Sequence, residues 1–361
     1  MTTSVALGMP RLREADPDVS ARPDTPALID RFGRVAEDLR VSLTDKCNLR
    51  CQYCMPEEGI TPIASDRLLT DEEVIRLITI ALDHLGIEEV RFTGGEPLLR
   101  KGLESIVAAT SQMRTKSGVN PDISLTTNAL GLKHRAQRLA DAGLKRVNIS
   151  IDAIDREAYH QLTRRDRLDD ALAGAAAAQA AGLTPVKVNT VLMPGINDDQ
   201  AVPLLKFCID HGYELRFIEY MPLGPRGSWK RSDLITAEDI LADLSTAFTL
   251  TPEVEPRGSA PAERWIVHEN GEPVGRVGVI ASVTRPFCGA CDRTRLTADG
   301  KIRNCLFGSS EVDLTSLIRG GATDEEIAER WRAAMWIKKA GHGIDDEGFL
   351  QPDRPMSAIG G

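Results

Sequence analysis

The sequence predicts an α/β protein, six strand–helix repeats followed by a small α+β region. Three observations carry that expectation. From Val35 onward, short apolar runs alternate with longer amphipathic stretches, the pattern of parallel strands joined by right-handed crossovers. Beyond Arg264 the rhythm changes to short strand-like pieces and two closing helices. The residues with distinctive chemistry fall where the strands end, which is where open α/β sheets and barrels gather their ligands. Periodicity alone leaves open whether the sheet closes.

In chain order, residues 1–33 carry Pro10, Pro17, Pro23 and Pro26 among alternating charges without a steady period, and read as a mobile arm. A strand at 39–43 delivers a cysteine-rich loop. Thr70 and Glu73 form a capping-box pair that starts a helix reaching about residue 85. Strands follow at 89–93, 122–126, 146–151, 185–192 and 214–220, with helices near 101–114, 133–142, 155–181 and 198–211. The alanine-rich stretch 171–182 reads as a plain packing helix. Proline, glycine and charge mark 221–232 and 252–263 as loops or linker, which divides the chain into an arm (1–33), a barrel region (34–232) and a C-terminal region (233–361). In the last of these, strand-like pieces lie at 264–267, 276–281, 294–296 and 301–303, and helices near 313–319 and 324–340.

Composition narrows the function. A net charge of −9 argues against coating a nucleic acid, so an anionic ligand would need a local cluster of cations. Seven cysteines, grouped as two sets of three plus Cys208, do not form a disulfide framework and fit a reducing cytoplasm. No run of about eighteen apolar residues suggests a spanning helix, and the first ten residues lack the apolar core of a secretory signal.

The chemistry centres on Cys47, Cys51 and Cys54, three thiols within eight residues. A cubane iron–sulfur cluster normally takes four thiolates, so three leave one iron open to an outside ligand. Zinc favours closed four-ligand sets, and no histidine lies close by to complete one. The second group is Cys288, Cys291 and Cys305. Here Cys-x2-Cys by itself suits structural zinc. The lack of a fourth ligand, with Cys208 mid-helix and His268 and His342 wrongly spaced, favours a second open cluster. Arg293 and Arg295 flank Thr294 and project to one face of a strand. With Arg40, Arg91 and Lys187 at strand positions, and Arg216 as a further candidate, they suggest a polyphosphate pocket. Gly94-Gly95-Glu96-Pro97 ends the second strand, and glycines there let backbone approach a ligand closely.

The Cys-x3-Cys-x-Tyr-Cys loop resembles that of the radical S-adenosylmethionine (SAM) enzymes. Adding the second cysteine group, Arg-Thr-Arg and the terminal Gly360-Gly361, the sequence is similar to the GTP 3′,8-cyclase family of molybdenum-cofactor (molybdopterin) biosynthesis, from about Phe32 to Gly361. The resemblance implies a partial (βα)6 radical-SAM barrel with a small C-terminal α+β extension carrying a second 4Fe–4S cluster. It implies metal ligation by Cys47, Cys51, Cys54, Cys288, Cys291 and Cys305, and SAM contacts from Tyr53, Gly95, Ser150 and Met221. Ser150 and Met221 also read naturally as ordinary strand and core residues. It further implies GTP contacts from Arg40, Arg91, Thr126, Lys187, Arg293, Thr294 and Arg295, with the tail glycines Gly360 and Gly361 entering the active site.

In the family, the open iron chelates SAM, whose reductive cleavage gives a deoxyadenosyl radical that takes the ribose 3′ hydrogen. The second cluster meets the guanine. A homodimer and a pathway partner, cyclic pyranopterin monophosphate synthase, are implied as well. One departure stands out: Ala129 follows Thr126-Thr127-Asn128 where the family often has glycine, which puts the local turn in question. A radical SAM peptide-modifying enzyme would explain both cysteine groups, but not the arginines or the glycine tail.

Overall fold

A computed structural model describes residues 18–360. Twelve strands join in one sheet: β1 (Asp38–Ser42), β2 (Glu89–Thr93), β3 (Asp122–Thr127), β4 (Arg146–Ser150), β5 (Val186–Thr190), β6 (Glu214–Ile218), β7 (Thr249–Pro252), β8 (Glu263–Glu269), β9 (Glu272–Ile280), β10 (Arg293–Leu296), β11 (Lys301–Arg303) and β12 (Val312–Asp313). Their spatial order is β12-β11-β10-β1-β2-β3-β4-β5-β6-β9-β8-β7. The six expected parallel strands are thus the middle of an open sheet.

The C-terminal region does not stand apart as an appendage. It adds three strands to each side of the six, with β10 parallel to β1 and β9 parallel to β6. Since β9 and β10 are consecutive in the chain but lie on opposite sides, the connection 281–292 has to cross the opening between them. That connection carries Cys288 and Cys291.

Around the sheet lie α1 (Asp71–Leu85), α2 (Leu103–Gln112), α3 (Ala136–Asp141), α4 (Arg156–Thr163), α5 (Leu168–Ala180), α6 (Ala201–His211), α7 (Ala237–Leu244), α8 (Thr315–Arg319), α9 (Asp324–Trp336) and α10 (Met356–Ile359). Helix α1 starts at the Thr70/Glu73 capping box and stops at Gly86, whose φ of 76° is left-handed. It buries Val74, Leu77, Ile78, Ala81 and Leu85 against the sheet, on the one side that its apolar spacing defines. Cys208 is fully buried in α6 as an ordinary core residue.

Three expectations change. The single helix expected over 155–181 is two, α4 and α5, because Arg164 turns left-handed at φ 55°. That break leaves the last carbonyls of α4 free, and those of Leu162 and Thr163 accept the amides of Gln52 and Arg50 in the cysteine loop. Helix α7, opened by a Thr236/Asp239 capping box, lies in a stretch that the expected helices left out.

The expected arm also differs. Residues 1–17 lie outside the described residues, but Leu28 and Asp30 are buried, Ile29 bridges to Val35, and the Arg332 guanidinium donates to the Pro26 carbonyl. The apolar side chain of Leu28 gives this segment a core contact that its proline content concealed.

Candidate active site

The first cysteine loop leaves β1 and is held by backbone. The Gly95 amide donates to the Thr44 carbonyl (2.6 Å) and the Glu96 amide to that of Lys46 (2.8 Å). A Cβ at Gly94 would meet the Thr44 carbonyl oxygen at 2.4 Å, and one at Gly95 the Lys46 oxygen at 2.3 Å, so both must be glycine. Glu96 is buried and accepts from Thr127 Oγ1, the Leu98 amide and the Asn128 amide, which fixes the turn after β3. Burial pushes its carboxyl up to about 7. Within this turn Ala129 takes φ 64°, a conformation glycine adopts more easily. The alanine is enclosed by α5, where a Cβ on Gly174 would meet the Ala129 oxygen at 2.4 Å.

Thr126, Ser150, Met221, Tyr53, Gly95 and all six clustered cysteines line one cavity, together with Arg40, Arg91, Arg216, Arg293 and Arg295. Its volume is about 1850 Å³ including the open mouth.

Neither cysteine group forms a disulfide. Burial raises the Cys51 thiol well above its ordinary range, with the charges of Asp152, Cys54 and Cys47 adding to it. Cys54 is pushed to about 12 by burial and Cys47. Burial, then Cys305 and Cys291, likewise raise Cys288. Cys47 and Cys54 thus lie within electrostatic reach of Cys51, and Cys291 and Cys305 within that of Cys288. Among the described residues, no three His, Cys, Asp or Glu side chains close in as ligands of one ion do. A cubane takes its thiolates on separate irons, and three lining thiols with no fourth fit one that would keep an iron open.

The arginine floor follows from strand register. Asp38 pairs with Arg293 and Arg40 with Arg295 between β1 and β10, while Arg40 pairs with Arg91 between β1 and β2. Pleating turns all of them to the same face. One buried carboxylate, Asp38, lies 3.5 Å from Arg40, 3.8 Å from Arg91 and 3.6 Å from Arg293. It cannot neutralise them all. Burial, then Arg91, lowers the Arg40 guanidinium to about 9, and burial with Arg40 brings Arg295 to about 9. Arg216, hydrogen-bonded to Asn189 and Asn148, falls to about 10 chiefly through burial. The Nε atoms of Arg40 and Arg293 are buried without a hydrogen-bond partner. Such crowding suits a polyanion.

Two expected GTP residues sit elsewhere. Thr294 points to the opposite face, where its buried hydroxyl accepts from Trp331 Nε1 at 3.0 Å, because residues on a strand alternate. Lys187 shares the inner face with Asn189 but lies one pleat deeper, 3.6 Å from Glu214 and outside the cavity lining. Gly360 lies on the floor: its carbonyl accepts from Arg295, and a Cβ there would meet Ser42 Oγ at 2.2 Å. Gly361 lies outside the described residues.

Several lining residues carried no signal in the sequence. Asp152 accepts from Tyr53 Oη (2.9 Å) and the Val191 amide, and Asn128 donates to Asn48 (2.8 Å) beside Cys47. Phe287 lies under the Arg293 guanidinium, 5.1 Å from ring centre to Cζ. Only their positions at strand ends could have pointed to Asp152 and Asn128.

The Radical SAM superfamily model matches residues 41–208, and the Molybdenum Cofactor Synthesis C model residues 213–344. A GTP 3′,8-cyclase of Corynebacterium glutamicum is 61% identical over 336 residues, 92% of this chain and 89% of the relative. The chain belongs to the GTP 3′,8-cyclase family. The family's Streptomyces coelicolor member is also 61% identical, over 95% of this chain and 98% of its own. "GTP 3′,8-cyclase 2" of Mycobacterium tuberculosis is 58% identical over 99% of this chain and all of its own (100%). Among solved structures, Streptococcus suis SuiB superposes with a TM-score of 0.57 at 15% identity, over 87% of this chain and 68% of SuiB. The enzyme anSMEcpe with bound AdoMet gives 0.54 at 17%, over 76% and 77%. At those identities the likeness is one of fold. Membership in the radical SAM superfamily implies SAM and a 4Fe–4S cluster. Among the described residues, no helix is long and apolar enough to cross a membrane.

Proposed function

We propose that this chain converts GTP to (8S)-3′,8-cyclo-7,8-dihydroguanosine 5′-triphosphate in molybdenum-cofactor biosynthesis, using two 4Fe–4S clusters. The observation that carries this is the single cavity in which two open sets of three thiols are joined by a buried, under-neutralised arginine floor. A peptide substrate would give those arginines no polyanion to bind.

Cys47, Cys51 and Cys54 would hold one cluster, which with three thiolates would keep one iron available to SAM. Gly95, Ser150, Met221 and Tyr53 surround the cofactor, and Asp152 fixes the Tyr53 hydroxyl. When bound there, SAM and a reduced cluster would supply one-electron, homolytic chemistry, and these residues would bind and orient the cofactor for it.

Arg40, Arg91, Arg293 and Arg295, with Arg216, neutralise the triphosphate and set its position, and Thr126 lies at the same wall. Lys187 acts from the deeper row, within the same positive field. Cys288, Cys291 and Cys305 would hold the second cluster, on the guanine side of the substrate. Gly360 brings the tail beside the substrate without a side chain to displace it, and Gly361 would continue it. The chain acts as a homodimer, and its product passes to cyclic pyranopterin monophosphate synthase.

Anaerobic reconstitution followed by incubation with SAM, dithionite and GTP tests this. The expected result is about eight irons per chain and a cyclised nucleotide. About four irons, or SAM cleavage that GTP does not couple to product, would count against it.

A further inference from the structure

Lys338 follows α9 and is buried, 3% exposed. Its ammonium lies 3.3 Å from Cys291 Sγ, 3.2 Å from the Cys291 carbonyl oxygen and 3.1 Å from that of Arg293. Three acceptors match the three protons of an ammonium. The Cys291 sulfur is the one side-chain acceptor among them; the other two are backbone carbonyls.

The same loop is gripped from a second point. The Arg34 guanidinium donates to the carbonyls of Cys288 (2.7 Å), Ala340 (2.9 Å) and Lys339 (2.6 Å). The segment 338–340 is thus bonded to Cys291 directly and tied to Cys288 through Arg34, although it lies far from both in sequence.

We propose that Lys338 is a positioning residue for the second cluster, its N–H donated to the Cys291 sulfur. Resting on the two-cluster function above, this predicts two effects. A donor to a ligating sulfur stabilises the more negative, reduced cluster, so it raises the reduction potential. It also fixes the ligand, as outer partners of metal sites do, and their loss typically weakens metal retention about 10- to 100-fold. A purely structural lysine would move neither the potential nor the retention of this one cluster selectively.

The test compares the parent with Lys338→Met, Lys338→Gln and Lys338→Arg in the full-length, anaerobically reconstituted protein. Iron per chain and the rate of iron loss to a chelator are measured on each. The potential of the second cluster is read by an EPR-monitored redox titration in chains that also carry Cys47→Ala, Cys51→Ala and Cys54→Ala, so that one cluster remains. Lys338→Met is expected to lower the potential and to speed loss of half the iron by about 10- to 100-fold. Lys338→Gln, which keeps a donor without the charge, is expected to fall between Met and the parent. Lys338→Arg is expected to stay near the parent. If Lys338→Met holds no second cluster, the Gln and Arg variants decide by the same two readouts. About four irons in the parent would overturn the two-cluster reading and this inference with it. Eight irons with unchanged potential and chelation rate in the variants would overturn the inference alone.

Discussion

The Arg295 guanidinium donates to the backbone carbonyl of Gly360, 2.7 Å away, inside the protein. An arginine of the proposed triphosphate floor therefore also anchors the C-terminal tail, and the two roles meet in one side chain. Gly360 is held at φ 76°, with Ser42 and Thr93 where a Cβ would go.

Gly360→Ala is expected to displace the tail, since the Cβ would lie 2.2 Å from Ser42 Oγ and 2.8 Å from Thr93 Cγ2. Left-handed backbone also costs a non-glycine residue about 1–2 kcal/mol. Cyclisation should fall at least about 10-fold, the equivalent of roughly 1.4 kcal/mol. Deleting Gly360 and Gly361 should abolish it. SAM binding and iron content should persist in both, measured by equilibrium binding and iron assay. Full turnover by the deletion variant would show that the tail is dispensable.

Arg40→Met should trade function for stability. Without ligand, the Arg40 guanidinium is held down to about 9 by burial and by Arg91. The folded state therefore bears the cost of holding this charge, buried and beside Arg91. The ligand-free variant is expected to melt higher than the parent near pH 7. Its KM for GTP should rise about 10- to 100-fold, in line with losing a charge-assisted contact of about 1.5–3 kcal/mol. A parent that melts higher than the variant at neutral pH would contradict the like-charge account.

Glu219→Ala should release the connection that crosses the sheet opening. The buried Glu219 carboxylate accepts from the Ala237, Val283 and Thr284 amides and from the Thr284 hydroxyl, joining the start of α7 to the approach to Cys288. Each buried amide left unpaired costs about 1–3 kcal/mol. Iron should fall from about eight to about four per chain, while the first cluster stays. Retention of all the iron would show that Cys288 is held in place by other contacts.

Thr294→Val separates packing from binding. The Thr294 hydroxyl is spent on Trp331 Nε1 in the buried layer behind β10. Its loss leaves a buried indole N–H unpaired and should destabilise the fold by about 1–3 kcal/mol, read by denaturant melts. The KM for GTP should not change. A raised KM at unchanged stability would return Thr294 to the cavity.

The residues themselves determined the six parallel strands, the α1 capping box, the two sets of three thiols and the Gly-Gly-Glu-Pro turn. Each is a local pattern: a period, a cap or a spacing that physical chemistry reads within a dozen residues. Only the tertiary structure decided what faces what. Register brought Arg40, Arg91, Arg293 and Arg295 round one Asp38, and packing set Trp331 against the Thr294 hydroxyl on the other face of the strand. The opposite placement of β9 and β10 carried the second cysteine loop across the opening. Arg164 broke a helix whose end then gripped the first loop, and Lys338 reached Cys291 from 47 residues away in the chain. These depend on contacts between distant segments, which no local pattern encodes, because sequence spacing constrains a neighbour only along the same strand or helix.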